Sequence, residues 1–305
     1  MAYWHRARAK RIEPRIRSWH TQGTGLAAFA GYKAGMARML MVADAGSPFA
    51  GQEVSTAATV IEVPPLFIYA ITAYEKTVLG LKKIAEVPSI NAPKQLKKSL
   101  TIAKKSAGVE SLDALGARAA QFRVIACSQP FKAHFGKKSS DSLEIPLRGN
   151  AAQQLEFAKT VLGKEVSASQ VFKAGEYVDA IAVTTGKGWA GVVQRMGVSL
   201  NPHKATKSRR HGGSIGAERQ AKVFYTIPRA GQHGYHRRTD ENKRILVISG
   251  KEHELAKKHY HSYGPLHNEF VLVAGSVPGP SKRFVVLRKS LHGLVKEPQV
   301  KGVLG

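Results

Sequence analysis

The sequence predicts a β domain, a barrel or a sandwich, interrupted by an α/β insertion of roughly a hundred residues and extended by two strongly basic segments. Three observations carry this. Short runs rich in Val, Ile and aromatics, bounded by Gly, Pro and Ser, stand toward both ends of the chain. Between them the apolar spacing switches to a helical period. Finally, residues 186–244 hold thirteen Lys and Arg against Glu218, Asp240 and Glu241, with four His and nine Gly, a net +10 in 59 residues.

In chain order, the first element is a basic arm over residues 1–25. Arg6, Arg8, Lys10, Arg11, Arg15 and Arg17 face a single acid, Glu13, and are interleaved with Tyr3, Trp4 and Trp19. Pro14 disfavours a continuous helix, so the arm is expected to be extended. Strand-like runs follow at 39–42, at 59–63 before Pro64 and Pro65, and at 66–74. With the C-terminal part they are assigned to a β core over 26–75 and 176–305.

The insertion, 76–175, is read as helical with a strand at 122–127. Pro93 stands near one helix start, and Leu96, Leu100 and Ala103 follow at i, i+4 and i+7. Ala151, Leu155, Ala158 and Leu162 share a face of a second helix over 150–162, with Gly163 as its stop. Ser167 and Gln170 have capping-box spacing for a short third helix. Strand signals return at 177–185, 221–227, 245–248, 269–274 and 284–287, with Gly and Pro turns between several of them.

Residues 186–244 therefore form a long basic finger leaving the β core, with a strand pair expected at its root. A loop of this length argues against its own assignment unless it is functional, and here the charge supplies the function. So much like charge needs a polyanion to neutralise it, and nucleic acid is the commonest of that size. A solvated disordered tail is the plainer reading. It is weakened because the run is internal, flanked by strands, and carries Trp189, Phe224, Tyr225 and Tyr235.

Whole-chain properties agree. The formal charge is +26 and the pI about 10.3. A length of 305 residues allows about two domains, and 43% apolar content is too high for wholesale disorder. The single cysteine, Cys127, excludes a disulfide framework and a cysteine zinc finger and fits a reducing compartment. No apolar run reaches the roughly 18 residues of a membrane span, and the basic N-terminus has no apolar run after it to make a signal peptide. The expectation is an intracellular protein without a membrane partner.

Catalytic readings find little support. His233, His236, His253, His259, His261 and His267 raise the question of a metal, but no HExxH or accompanying cysteine occurs. Gly186-Lys187-Gly188 lacks the rest of a phosphate loop, and the glycines and prolines of 275–280 read as a turn. Cys127 sits in an apolar strand and reads as packing rather than as a nucleophile. What remains suits RNA. Arg and Lys hold phosphates, while Trp189, Tyr235, His203, His211, His233 and His236 add stacking faces and donors for unpaired bases and 2′-hydroxyls. Core packing is an equal alternative for Trp189 and Tyr235. A solvated face is the alternative for Arg209–Arg210 and Arg237–Arg238, and the local charge disfavours it.

Gly186-Lys187-Gly188-Trp189-Ala190-Gly191, continued by Arg195, Gly197 and Val198, resembles the GKGxxGxxxRxGV segment of large-subunit ribosomal protein three, archaeal and eukaryotic type. The similarity runs on through His203-Lys204, Arg209-Arg210, Gly213-Ser214-Ile215-Gly216 and Ile227-Pro228-Arg229-Ala230-Gly231-Gln232. It continues through Gly234-Tyr235-His236-Arg237-Arg238-Thr239 and Asn242-Lys243-Arg244. Further matches are Phe29-Ala30-Gly31-Tyr32-Lys33-Ala34-Gly35-Met36, Val60-Ile61-Glu62-Val63-Pro64-Pro65 and Gly275-Ser276-Val277-Pro278-Gly279-Pro280. They cover nearly the whole chain in order.

The resemblance implies a six-stranded β-barrel of the type shared with translation factors, an α/β insertion, and arm and finger as RNA-penetrating extensions. It implies a structural, non-enzymatic component that binds large-subunit rRNA early in assembly, beside neighbouring large-subunit proteins, with the finger directed toward the peptidyl-transferase region. By position it marks Lys187, Arg195, His203, Lys204, Arg209, Arg210, Arg229, Gln232, His236, Arg237, Arg238, Lys243 and Arg244 as RNA-facing. Lys207 and Arg219 join them from the local charge. No cofactor is implied, and ions enter only as structural Mg2+ or K+ bridging to rRNA.

Three departures stand out. Glu218 occupies the finger-tip position where the family usually has Trp, Thr185 precedes the GKG where Lys is usual, and residues 1–3 align inside the family's arm rather than at its start. An acid repels phosphate, so tip contact is expected through Arg219 or a metal-bridged phosphate. Two other classes share parts of this profile. An RNA-modifying enzyme would need a nucleophile, an acid–base pair or a cofactor loop, none of which is visible. A free-standing RNA chaperone has the same composition.

Overall fold

The computed structural model describes residues 6–103, 118–206, 208–291 and 295–304. Short apolar runs rich in Val, Ile and aromatics recur along the chain, many of them buried throughout, and strands dominate accordingly. A first sheet is built from β2 (Ala28–Val42), β3 (Glu53–Glu62), β9 (Tyr177–Val183), β12 (Arg237–Ser249), β13 (Phe270–Ala274), β14 (Phe284–Lys289) and β15 (Val300–Leu304). Every pairing is antiparallel: β2 to β3, β3 to β13, β13 to β12, β12 to β9, β9 to β14, and β14 back to β2. Six strands thus form a closed ring, and closure leaves the ring no unpaired edge.

The length of β2 makes closure feasible. Its first residues, 28–32, pair with β14, while 32–42 pair with β3 and the far end also carries β15. Gly31 lies where these ladders crowd, and a Cβ added there would fall 2.5 Å from the Glu62 carbonyl oxygen. Along the ring strands Phe29, Val60, Ile61, Phe270, Val271, Val285 and Val286 are fully buried, and because neighbours such as Val60 and Ile61 face opposite ways, both faces of the ring wall are covered. Each such side chain contributes about 1.5–3 kcal/mol of burial.

The second sheet comprises β1 (Gly25–Leu26), β4 (Leu66–Thr77), β5 (Gly80–Pro88), β6 (Gln121–Cys127), β7 (Ser142–Arg148) and β8 (Glu165–Val166), in the order β1-β7-β6-β4-β5 with β8 on β4. Helix α1 (Ala151–Val161) packs on β6 and β7. Its Asn150–Gln153 capping box is present, and Gln154 Oε1 accepts from the Phe122 amide at 2.8 Å. On another part of the sheet Phe67, Tyr69, Ala70, Leu96 and Cys127 form a smaller apolar cluster. Cys127 is fully buried, and burial pushes its thiol up to about 12, as its packing role requires.

The two sheets meet through buried hydrogen bonds. Tyr32 of the ring donates to Asp141 Oδ2 at 2.8 Å and lies 2.8 Å from Ser128 Oγ of the second sheet's side. Glu62 ends β3 with a fully buried carboxylate that accepts from the Tyr263 hydroxyl, the amides of His267 and Asn268, and Asn268 Nδ2. Four donors compensate the desolvation that an isolated buried charge would suffer.

Three sequence expectations change. The run at 66–74, assigned to the β core, pairs in the second sheet, so the chain leaves the ring at Pro64-Pro65, which cannot both continue a ladder. The helix expected from Pro93 is only a 3-10 turn, Lys94–Lys98. Beyond it the Tyr69 hydroxyl donates to the Thr101 carbonyl at 3.1 Å and accepts from the Ala103 amide at 3.2 Å, drawing the chain off a helical path. The strand at 221–227 is absent. Val223, Phe224 and Tyr225 are exposed, and β-favouring residues with no neighbouring ladder do not make a strand. By contrast, the short capped helix at Ser167 is present as the 3-10 turn Ala168–Gln170 with its capping box. Among the described residues no helix is long and apolar enough to cross a membrane.

Candidate nucleic-acid interface

The finger leaves the ring as the expected strand pair. Strand β10 (Gly186–Ala190) runs antiparallel to β11 (Gly231–Gly234), with Trp189 opposite Gln232 and a bulge between Gly186 and Trp189. Gly234 makes this possible: at φ +70 its Cα lies so close to the returning chain that a Cβ would sit 2.2 Å from the Thr185 carbonyl oxygen. Helix α2 (Val192–Met196) follows and ends at Gly197 in the left-handed region. From there to residue 230 the described chain has turns but neither helix nor strand.

Within that excursion His203, Lys204, Arg209, Arg210, His211, Arg219 and Arg229 are exposed, as is Lys187 at the root. Lys207, also expected here, lies outside the described residues, as do Tyr3 and Trp4 of the arm. Arg209 is tied locally, its Nε donating to the Asn201 carbonyl at 3.2 Å while Asn201 N donates to the Arg209 carbonyl at 3.1 Å. Glu218 lies in an exposed turn closed by Gln220 N donating to Ala217 O.

The aromatic candidates separate. Trp189 is 80% exposed, an open stacking face rather than a core residue. Tyr235 is half-buried, and the guanidinium groups of Arg8 and Arg283 lie over its ring at 4.9 and 5.3 Å. Its π-system is already engaged by cations.

Several residues marked as RNA-facing work within the protein. Arg195 donates from Nε to the Gln232 carbonyl and from Nη1 to the Arg229 carbonyl, both at 2.9 Å, pinning the finger's return to α2. Gln232 turns its amide onto Gly234 O at 3.0 Å. Lys243 pairs with Asp240 at 2.9 Å. Arg244 is buried, pairing with Asp44 at 2.7 Å and donating to Lys296 O at 2.9 Å. A guanidinium so enclosed is not available to a phosphate, and nothing in the spacing of Asn242-Lys243-Arg244 distinguishes it from its exposed neighbours. Arg237 and Arg238 remain exposed on β12, each with one Nη1 on a backbone carbonyl.

The arm runs from residue 6 to 20 with neither helix nor strand, along the finger root. The buried imidazole of His236 meets the Ala7 carbonyl through Nδ1 at 2.9 Å, and Ala9 N donates to Tyr235 O at 2.8 Å. Arg6 Nη1 reaches Arg195 O at 3.4 Å. Arg8, Lys10, Arg11, Arg15 and Arg17 are exposed. His233 is held below the usual imidazole value by burial and then by Lys187, His236, Arg6 and Arg195.

Sequence reasoning missed what holds the arm. Arg288 of β14 donates from Nη1 to Ser18 O at 2.8 Å and to Ser18 Oγ at 2.6 Å, while pairing with Asp179 of β9. Asp179 is the one charge in the otherwise apolar Tyr177–Val183, and Arg288 follows four apolar residues in Phe284–Lys289 with only Lys289 beyond it; that pattern was the available signal. The six histidines considered for metal do not gather: among the described residues no group of three or more His, Cys, Asp or Glu could hold an ion. His253 instead accepts from Leu255 N to start α3 (Glu254–Lys257).

The geometry is that of a closed β ring holding two basic, strand-poor extensions side by side. Comparison makes this specific. The family model for ribosomal protein L3 matches residues 1–303. The chain is 41% identical over 311 residues to the large ribosomal subunit protein uL3 of Methanothermobacter thermautotrophicus, covering 98% of this chain and 92% of that one. It is 42% identical over 300 residues to the uL3 of Methanococcus vannielii, at 96% and 90% coverage, and 37% identical over 314 to that of Methanothrix thermoacetophila, at 100% and 94%. The chain belongs to the ribosomal protein L3 family, whose members are structural, non-enzymatic components of the large ribosomal subunit in the cytoplasm.

Proposed function

We propose that this protein binds large-subunit rRNA through its arm and finger, supports early subunit assembly, and extends the finger toward the peptidyl-transferase region. The observation that carries this is the joint anchoring of the two basic segments, arm against finger root, with Arg8, Lys10, Arg11, Arg15, Arg17, Arg209, Arg210 and Arg219 left exposed. Exposed cations on backbone with little regular structure suit phosphates that follow no straight line. The ring is read as a six-stranded barrel of the translation-factor type. Residues 1–25 are the arm, 26–63 and 176–305 the core, and 66–175 the insertion; the finger, expected over 186–244, projects from the core only over 186–236, because Arg237–Ser249 is ring strand β12 paired with β9. Neighbouring large-subunit proteins are expected against the insertion and ring.

A free-standing RNA chaperone is the competing reading. Cells expressing tagged protein are lysed, and large subunits are washed in high salt and sedimented. Stoichiometric retention on large subunits is expected. Loss of the protein to the supernatant, with RNA binding intact, would overturn the ribosomal role.

A further inference from the structure

We propose that the cleft beneath the arm is a binding site for one single-stranded RNA segment; this rests on the rRNA-binding reading above. The arm is a strap pinned at both ends. On one side Ala7 and Ala9 bond to His236 and Tyr235. On the other, Arg15 O accepts from Arg237 Nη1 at 3.1 Å and Ser18 accepts from Arg288. Between the pins the strap stands off the second sheet and encloses about 1080 Å³.

The chemistry of the cleft is that of a phosphodiester site. Lys10, Arg11, Arg15 and Arg17 line it from the strap, and Arg123 of β6 and Arg237 of β12 line it from the body. Two carboxylates, Glu13 and Glu144, share the space. Glu144 accepts from the hydroxyls of Thr72 and Tyr74 and pairs with Arg123 at 4.0 Å, so its charge is directed to the body of the protein and the strap's cations face Glu13 alone. Guanidinium forks match phosphate oxygens, and Trp19, half-buried in the same wall, offers an aromatic edge for a base. The two carboxylates favour RNA over an acidic peptide: its 2′-hydroxyls and base amino groups can donate to them, whereas acidic side chains repel them. The cleft is open to solvent along part of its length, and a chain entering it must pass between strap and sheet, which suits one extended strand better than the wider duplex.

Arg123 and Ser142 are among the parts of this site that the basic segments themselves do not contain. Ser142 is exposed on β7 and lines the cleft, while the native Cys127 is fully buried. In Ser142→Cys the new thiol is therefore the reactive one and can carry a photo-crosslinker. The full chain so labelled is irradiated with a single-stranded RNA oligonucleotide, with the same RNA as a duplex, and with poly-glutamate. Ser214→Cys, exposed in the finger, carries the same label as a reference.

Crosslinking of Ser142→Cys to the single strand, several-fold above the duplex and absent with poly-glutamate, is the expected result. Replacing Lys10, Arg11, Arg15 and Arg17 by Gln should lower the log–log salt slope of single-strand binding by roughly 3, four contacts at about 0.7 each. Arg123→Gln should reduce the Ser142 crosslink several-fold and leave that of Ser214→Cys unchanged. Crosslinking from Ser214→Cys without any from Ser142→Cys would overturn the cleft while leaving rRNA binding standing. Absence at both positions would remove both readings. Crosslinking of Ser142→Cys to poly-glutamate would assign the cleft to an acidic protein segment instead.

Discussion

Arg288 and Asp179 face each other across β14 and β9, each side chain 3% exposed, and the same guanidinium holds Ser18 of the arm. One buried ion pair thus belongs both to the ring and to the mounting of a basic extension. Asp179 is satisfied further by the Asn242 amide at 3.0 Å, which links the pair to β12 as well.

Removing one partner leaves the other charge buried and alone. Asp179→Ala is expected to destabilise the free protein by about 3–5 kcal/mol, measured by urea denaturation. The double variant Asp179→Leu with Arg288→Met should recover much of that stability, because an apolar pair avoids the desolvation cost. It should not recover the arm, since the donors to Ser18 are gone. Tryptic cleavage at Arg15 and Arg17 is the readout, expected faster in the double variant than in wild type.

RNA binding by the isolated protein is expected to weaken steeply with salt. Each neutralised phosphate contributes about −0.7 to the log–log slope for single strands and about −0.9 for duplex-like geometry. A filter-binding titration from dilute to physiological salt tests this. A nearly flat curve contradicts a polyanion-binding surface.

The finger tip should gain affinity from Glu218→Trp. A carboxylate repels nearby phosphate, whereas an indole stacking on an unpaired base contributes roughly 1–3 kcal/mol. Glu218 is exposed in its turn, so melting of the free protein should barely move. Arg209→Ala with Arg210→Ala should lower incorporation into reconstituted large subunits while preserving the melting transition. Poorer incorporation of Glu218→Trp than of wild type would refute the electrostatic account of the tip.

Protons should act against the free fold and in favour of the complex. His20 is held below 6.5 by burial, Arg148 and Lys289, and His233 by burial and its own cationic neighbours. For groups depressed in the folded state, the unfolded chain binds more protons. Stability therefore falls as pH drops through the ordinary imidazole value, and the loss levels off below the folded values. Melting curves of wild type and of His20→Gln with His233→Gln, between pH 7.5 and roughly pH 5, should diverge in that direction. Bound phosphate stabilises imidazolium, so RNA should reduce the effect.

At the finger root, Gly234→Ala is expected to lower stability. The left-handed conformation alone disfavours a side chain by about 1–2 kcal/mol, and the Cβ would also meet backbone at Thr185 and Lys187. Thermal melts report the destabilisation, and proteolysis between β10 and β11 should accelerate.

The sequence by itself determined many of the core strands, helix α1, the capped turn at Ser167, the strand pair at the finger root, the extended arm and the placement of positive charge. These are local properties: runs of Val, Ile and aromatics between Gly, Pro and Ser, a capping pair three residues apart, Pro14 in the arm, and like charge with few acids. The long basic motifs also carried the family. Only the tertiary structure decided which sheet a strand joins, because Leu66–Thr77 is apolar enough for either and the partner is chosen by long-range pairing. It also decided which of many identical arginines work inside the protein. Arg195, Arg244 and Arg288 differ from Arg209 or Arg229 not in type but in the carbonyls and carboxylates that distant segments bring to them. Charge is written residue by residue, but burial and partnership arise from contacts between distant parts of the chain, from Arg195 with Gln232 at a separation of 37 to Arg288 with Ser18 at 270.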